Sequence, residues 1–190
     1  MGLLELPQEL RDHILSFILT KPQNTITVLS NADCLCSEVS AGQPAVSKVN
    51  KQLRAETLPL FYSSNVFLAE LSNSEDLVTA KNWLAAVGDA NIRHLRHLVL
   101  SGWIKVRQTG VAGYRWQHRL IRMAFDLRDG HVRLNEDREV TKPTPSAMWS
   151  VDGLKQTFRE MVETKGGSRF TAVEVGDLME GFHDFCGRAG

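Results

Sequence analysis

Leu6, Leu10, Ile14, Phe17 and Ile18 recur at intervals of three and four, with Glu9, Arg11 and Asp12 between them. That spacing places the apolar side chains on one face of a helix. Pro7 suits the first helical position, where its missing N–H has no partner to lose, and Thr20-Lys21-Pro22 ends the run. Thr25 to Leu29 is a short β-type run, and Ser30 to Gln43 is polar and reads as a loop. A second helix is predicted from about Pro44, with Val46, Val49, Leu53 and Leu60 on one side and a break or kink at Pro59. Asn65 to Leu71 reads as a strand. Asn73 then caps a third helix whose inner face is Leu77, Ala80, Leu84 and Val87, with Gly88 as its stop. Leu98 to Leu100 and Trp103 to Val106 are two further strand candidates, followed by a turn region at Gly110 to Gly113.

The sharpest local signal is Asp129-Gly130 between two alternating runs, 123–128 and 131–134. Asp-Gly favours a two-residue hairpin turn, which pairs Leu127 with Val132, Phe125 with Leu134 and Asp126 with Arg133. Ahead of it, Tyr114 to Arg122 interleaves basic and aromatic residues. On a helix, Arg115, Arg119 and Arg122 share one face and Trp116 and Leu120 another, the pattern of an amphipathic surface helix. Glu136 to Pro145 reads as an exposed loop or linker. Two helices follow, striped by Val151, Leu154, Phe158 and Met161, then by Val175, Leu178, Phe182 and Phe185; Gly166-Gly167 separates them and a Thr171-x-x-Glu174 capping box opens the second. The expected fold is α+β: a helical N-terminal region, 1–64, with an inserted strand and loop at 25–43, continuous with an α+β region, 65–190. Its small mixed or antiparallel sheet is covered by helices.

Charge changes this picture in one place. The chain is neutral overall, yet residues 91–125 hold seven Lys and Arg and no Asp or Glu, between two acidic flanks. Such a segment is either matched internally by its flanks or forms a cationic face for nucleic acid or an acidic partner, with Arg115, Arg119 and Arg122 as its candidate residues. The odd count of three cysteines argues against a disulfide framework, and the N-terminal run carries acids and a proline where a signal peptide would be apolar. The expected compartment is therefore the reducing cytoplasm or nucleus. No apolar run is long enough to span a bilayer, so no membrane partner is expected. Nucleophile elbows, phosphate loops, dinucleotide fingerprints and zinc-protease motifs are missing, and Cys34-x-Cys36 lacks a second ligand pair. No catalytic residue, cofactor or metal is expected, and the chain reads as a non-enzymatic module.

Two blocks carry a family resemblance. Leu6-Pro7-Gln8-Glu9-Leu10-Arg11, continuing through Ile14 and Phe17, looks like the first helix of an F-box. Val49-Asn50-Lys51-Gln52-Leu53-Arg54-Ala55-Glu56-Thr57-Leu58-Pro59-Leu60-Phe61-Tyr62, running on to Asn65-Val66-Phe67, resembles the matching segment of fungal F-box-like proteins. The resemblance covers about the first seventy residues. It implies a protein–protein interaction module: a substrate adaptor of a cullin ubiquitin ligase, docking on a Skp-type adaptor subunit through Leu6, Pro7, Leu10, Ile14, Phe17, Val49 and Leu53. Those seven residues equally suit the core of a compact domain, since apolar stripes pack inward more often than outward. The chain departs from an ordinary F-box in two respects: a strand and polar loop separate its first two helices, and Pro59-Leu60-Phe61-Tyr62 replaces an aromatic third helix.

Overall fold

The computed structural model describes residues 2–20, 25–28, 41–110, 113–135, 145–165 and 169–188. The expected polar loop before Gln43, the middle of the turn at 110–113, the expected linker after Asn135 and the Gly166-Gly167 stop fall wholly or largely outside them. Helix α1 (Gln8–Leu19) starts directly after Pro7. Strand β1 (Thr25–Val28) follows, then a single 3₁₀ turn (Ala45–Lys48). Helix α2 (Lys51–Ser64) is capped by Asn50, whose Oδ1 accepts from the Leu53 N–H at 2.8 Å. The expected break at Pro59 does not occur, and α2 runs on to Ser64. Proline there removes the donor to the Ala55 carbonyl, but Ala55 lies on the exposed side of the helix, where water can serve that oxygen.

Strand β2 (Val66–Glu70) leads to α3 (Ser74–Val87), capped by Asn73 and stopped by Gly88 at φ 73°, a left-handed value that glycine adopts without strain. The short α4 (Asp89–Ile92) precedes β3 (His97–Gly110), β4 (Gly113–Asp126), β5 (Val132–Asn135), α5 (Pro145–Lys165) and α6 (Ala172–Arg188). The strands form one mixed sheet in the order β1-β2-β3-β4-β5. The first two pairings are parallel, with α2 and α3 in the crossovers, and the last two are antiparallel. This is an α+β architecture.

Register explains the core. Ile26, Phe67, Leu98, Phe125 and Val132 align across all five strands, and Val28, Ala69, Leu100, Met123 and Leu134 form the next row on the same face. Helices α3, α5 and α6 cover those rows. Trp83 lies 5.5 Å from Phe67, and Phe158 meets Phe125 edge-on at 5.1 Å. From α2, Tyr62 stacks on Phe67 at 5.4 Å. Helix α6 approaches β3 at Gly102, where a Cβ would stand 2.7 Å from Cys186 Sγ and 3.1 Å from Phe182. Glycine thus sets the distance between helix and sheet. The capping box of α6 is formed: the Thr171 N–H donates to Glu174 Oε2 at 2.8 Å.

Two expectations are corrected. The segment 114–122 is not a helix but the middle of β4, paired along fourteen residues with an equally long β3. A helix there would strip β3 of its partner and leave its backbone groups unpaired along one edge, whereas the ladder satisfies both strands. Strand β4 also leaves the β4–β5 hairpin two residues earlier than Asp-Gly suggests, pairing Phe125 with Val132 and Ala124 with Arg133. Asp126 is drawn into the turn instead of facing Arg133: its Oδ1 accepts from the Arg128 and Asp129 N–H groups, both at 3.0 Å, and its Oδ2 accepts from Arg96 Nε at 3.2 Å. A shift of two keeps every side chain on its intended face, so the apolar rows survive the change.

Candidate functional site

Helix α1 has two sides of unlike chemistry. Leu15 and Leu19 are buried and join the core cluster. Arg11 lies on the same side and is also buried. Its Nε and Nη2 donate to Glu56 Oε2 and Oε1 of α2 at 3.0 and 2.6 Å, and its Nη1 donates to the Leu6 carbonyl. Gln52 Nε2 donates to Glu56 Oε1 at 3.1 Å. The fork matches the carboxylate oxygen for oxygen and fixes the rotation of α1 about its axis. The Arg11 hydrogen bonds, then that from Gln52, hold the Glu56 carboxyl below its ordinary pKa.

With that side anchored, the other faces outward. Leu10 is 52% exposed, Ile14 38%, Phe17 75% and Ile18 56%. His13 packs edge-on against the Phe17 ring at 4.9 Å and leaves most of it open. Val49, at the end of the 3₁₀ turn, is also exposed. Of the seven residues expected to dock, Leu10, Ile14, Phe17 and Val49 are exposed apolar side chains, Pro7 is exposed, and Leu6 is half-buried. Leu53 is the exception: it is buried in α2 and available only to its own chain. Its position one turn before Thr57 and Leu58, both buried, turns it inward.

The expected basic patch takes a different form from the helical face. On a strand, Arg115 and Arg119 share one side and Arg122 the other. β2 pairs with β3 only as far as Ser101, and β5 pairs with β4 only from Arg122 onward, so residues 102–110 and 113–121 continue as a two-stranded ribbon beyond the sheet. The ribbon carries Lys105, Arg107, Arg115 and Arg119 and no acid. Trp103 and Trp116 are exposed on it. At its base, Arg122 and Ser101 face each other across the two strands, and Arg122 Nε and the Ser101 hydroxyl are buried without a hydrogen-bond partner among the described residues.

Among the described residues no three His, Cys, Asp or Glu side chains converge as metal ligands, and no helix is long and apolar enough to cross a membrane. Cys34 and Cys36 lie outside those residues. Cys186 sits between α6 and β3, where burial pushes its thiol up to about 12 and so suppresses the reactive thiolate. No family model matches the chain, and neither a curated protein nor a solved structure does.

Proposed function

We propose that the chain is a non-enzymatic protein-interaction module of the cytoplasm or nucleus that offers the outer face of α1 to a helical groove. The partner that its resemblance to fungal F-box-like proteins suggests is a Skp-type adaptor, which would make the chain a substrate adaptor of a cullin ubiquitin ligase. One observation carries the proposal: Leu10, Ile14, Phe17 and Ile18 form a continuous apolar stripe in solvent, on a helix whose opposite side is already anchored. A stripe spaced i, i+4, i+7, i+8 is the form in which a helix fits an apolar groove, with a few large anchors supplying most of the affinity. Size-exclusion chromatography and calorimetry of the purified chain with a Skp-type adaptor test it. An equimolar complex is expected, abolished by Leu10→Asp with Ile14→Asp while circular dichroism is unchanged. A folded wild type that forms no complex rules the adaptor role out.

A second reading rests on the ribbon. Its four cations without an acid, flanked by exposed Trp103 and Trp116, are what phosphate neutralisation and base stacking require. Single-stranded oligonucleotide binding that weakens with salt, and that Trp103→Ala weakens further, supports it. No binding at low salt removes it.

A further inference from the structure

A cleft of about 520 Å³ opens between the C-terminal half of α2, the turn from α4 into β3, the β4–β5 turn and the approach to α6. Pro59, Leu60 and Val162 form half-buried apolar walls, and Leu95, Leu127 and Phe170 are its buried floor. Around this apolar interior stand Arg93, Arg96, Arg128, Lys165 and Arg169, with no carboxylate among the lining residues.

Two of the five cations are neutralised from outside the cleft. Arg96 pairs with Asp126 and Asp129 at 3.2 and 2.8 Å, and Lys165 pairs with Glu174. Arg93, Arg128 and Arg169 have no carboxylate partner among the described residues. Two of these are nonetheless held in place. Arg93 Nε donates to the Ala90 carbonyl at 2.9 Å, and Arg169 Nη1 lies 3.3 Å from the Arg93 carbonyl and 3.1 Å from His94 Nδ1. A guanidinium only donates, so the His94 ring accepts at Nδ1 and is neutral, with its proton on Nε2. Burial, then the charges of Arg169 and Arg93, hold its pKa below the ordinary value, in keeping with a positive site.

Arg93, Arg128 and Arg169 are exposed at the rim of this cleft, so their like charges meet across solvent, and an anion seated between them would be drawn by all three. A carboxylate would leave an excess of two charges. A phosphomonoester carries close to two negative charges and three acceptor oxygens, and arginine forks match such oxygens in pairs. We infer that this cleft is a binding site for a phosphomonoester whose attached group lies against Pro59, Leu60 and Val162. The same chemistry is offered by a small phosphate ester and by a phosphorylated side chain of a protein, and the experiment separates the two.

Calorimetric titration of the intact chain at matched ionic strength uses four probes. They are inorganic phosphate, phenyl phosphate, a heptapeptide with phosphothreonine beside leucine, and the same peptide unphosphorylated. Saturable binding of phenyl phosphate or the phosphopeptide to one site is expected, tighter than inorganic phosphate. It should weaken several-fold as pH falls through the phosphate's second pKa of about 6. The triple variant Arg93→Gln, Arg128→Gln, Arg169→Gln should lose at least about tenfold in affinity, as removing charge-assisted hydrogen bonds does. Arg128→Glu alone should lose several-fold; Arg128 is exposed in a turn, so this variant guards against misfolding as the cause. A phosphopeptide preferred over phenyl phosphate identifies a phosphoprotein as the source, and the reverse preference a small ester; either supports the site. No binding by any phosphorylated probe, equal binding of the unphosphorylated peptide, or unchanged affinity in both variants overturns it.

Discussion

Helices α1 and α6 carry nearly the same apolar rhythm and treat it in opposite ways. In α6, Val175, Leu178, Phe182 and Phe185 are spaced three, four and three, and all are buried. In α1, Leu10, Ile14 and Phe17 are spaced four and three, with Ile18 beside them, and all stand in solvent. The difference lies on the back of each helix. Behind the α6 stripe are Asp177, Glu180 and Asp184, all exposed, so only the stripe can pack inward. Behind the α1 stripe are Leu15 and Leu19, two large side chains that reach the core, and Arg11, which finds Glu56. Periodicity locates a stripe; which face turns inward depends on which face finds partners.

The comparison breaks most visibly at Phe182, which is fully buried between α6 and the sheet and tilted against Phe185 at 6.2 Å. Truncation there removes a large apolar group and leaves a cavity. Phe182→Ala should therefore cost about 3–5 kcal/mol, read from the shift in a urea unfolding curve at unchanged slope. A loss below about 1 kcal/mol, the range of a surface change, would mean that α6 does not hold the sheet as described.

A smaller effect tests what turns α1 around. Glu56→Gln keeps the shape of the side chain and removes the charge that Arg11 meets, leaving a buried guanidinium with a weaker acceptor. The thermal midpoint at neutral pH should fall by a few degrees. Its pH dependence has a definite sign. The folded Glu56 carboxyl titrates below its ordinary range, so the wild type's advantage is fully present above that range and is lost as pH falls through the depressed folded value. The two unfolding midpoints should converge in acid. Midpoints that stay a constant distance apart would assign the difference to packing and not to the ion pair.

How far the sequence foretold this arrangement depends on how local each signal was. The caps at Asn73 and Thr171, the stop at Gly88 and the α6 stripe were legible because each is decided within one turn of chain, whereas the second helix, expected from about Pro44, starts only after the Asn50 cap. The Tyr114–Arg122 segment was not: it is helical by local pattern, and only pairing with β3, at register positions such as Arg115 opposite Gln108, makes it a strand. Asp126 was misplaced for the same reason, since Arg96, thirty residues earlier, claims its carboxylate. The sequence left the seven candidate residues open between core and docking: Leu53 packs inward, Leu6 is half-buried and the other five are exposed, and the outward direction of the α1 stripe depends on Arg11 meeting Glu56 across forty-five residues. The arginine cleft gathers side chains from α2, three turns and α5, and only the fold could bring them together.

The smallest expected effect on stability is also the most informative about the comparison. Phe17 sits on the same kind of stripe as Phe182 but is three-quarters exposed, so folding hides little of its apolar surface from water. Phe17→Ser should leave the unfolding free energy within about 0.5 kcal/mol of the wild type, while binding of an apolar-surface dye, and of any partner that uses α1, weakens. Measured beside Phe182→Ala, the pair forms a ratio: a large loss for the buried ring and almost none for the open one. If Phe17→Ser instead destabilised the chain as Phe182→Ala does, the α1 stripe would be covered in solution by the chain itself, and no docking face would remain to offer.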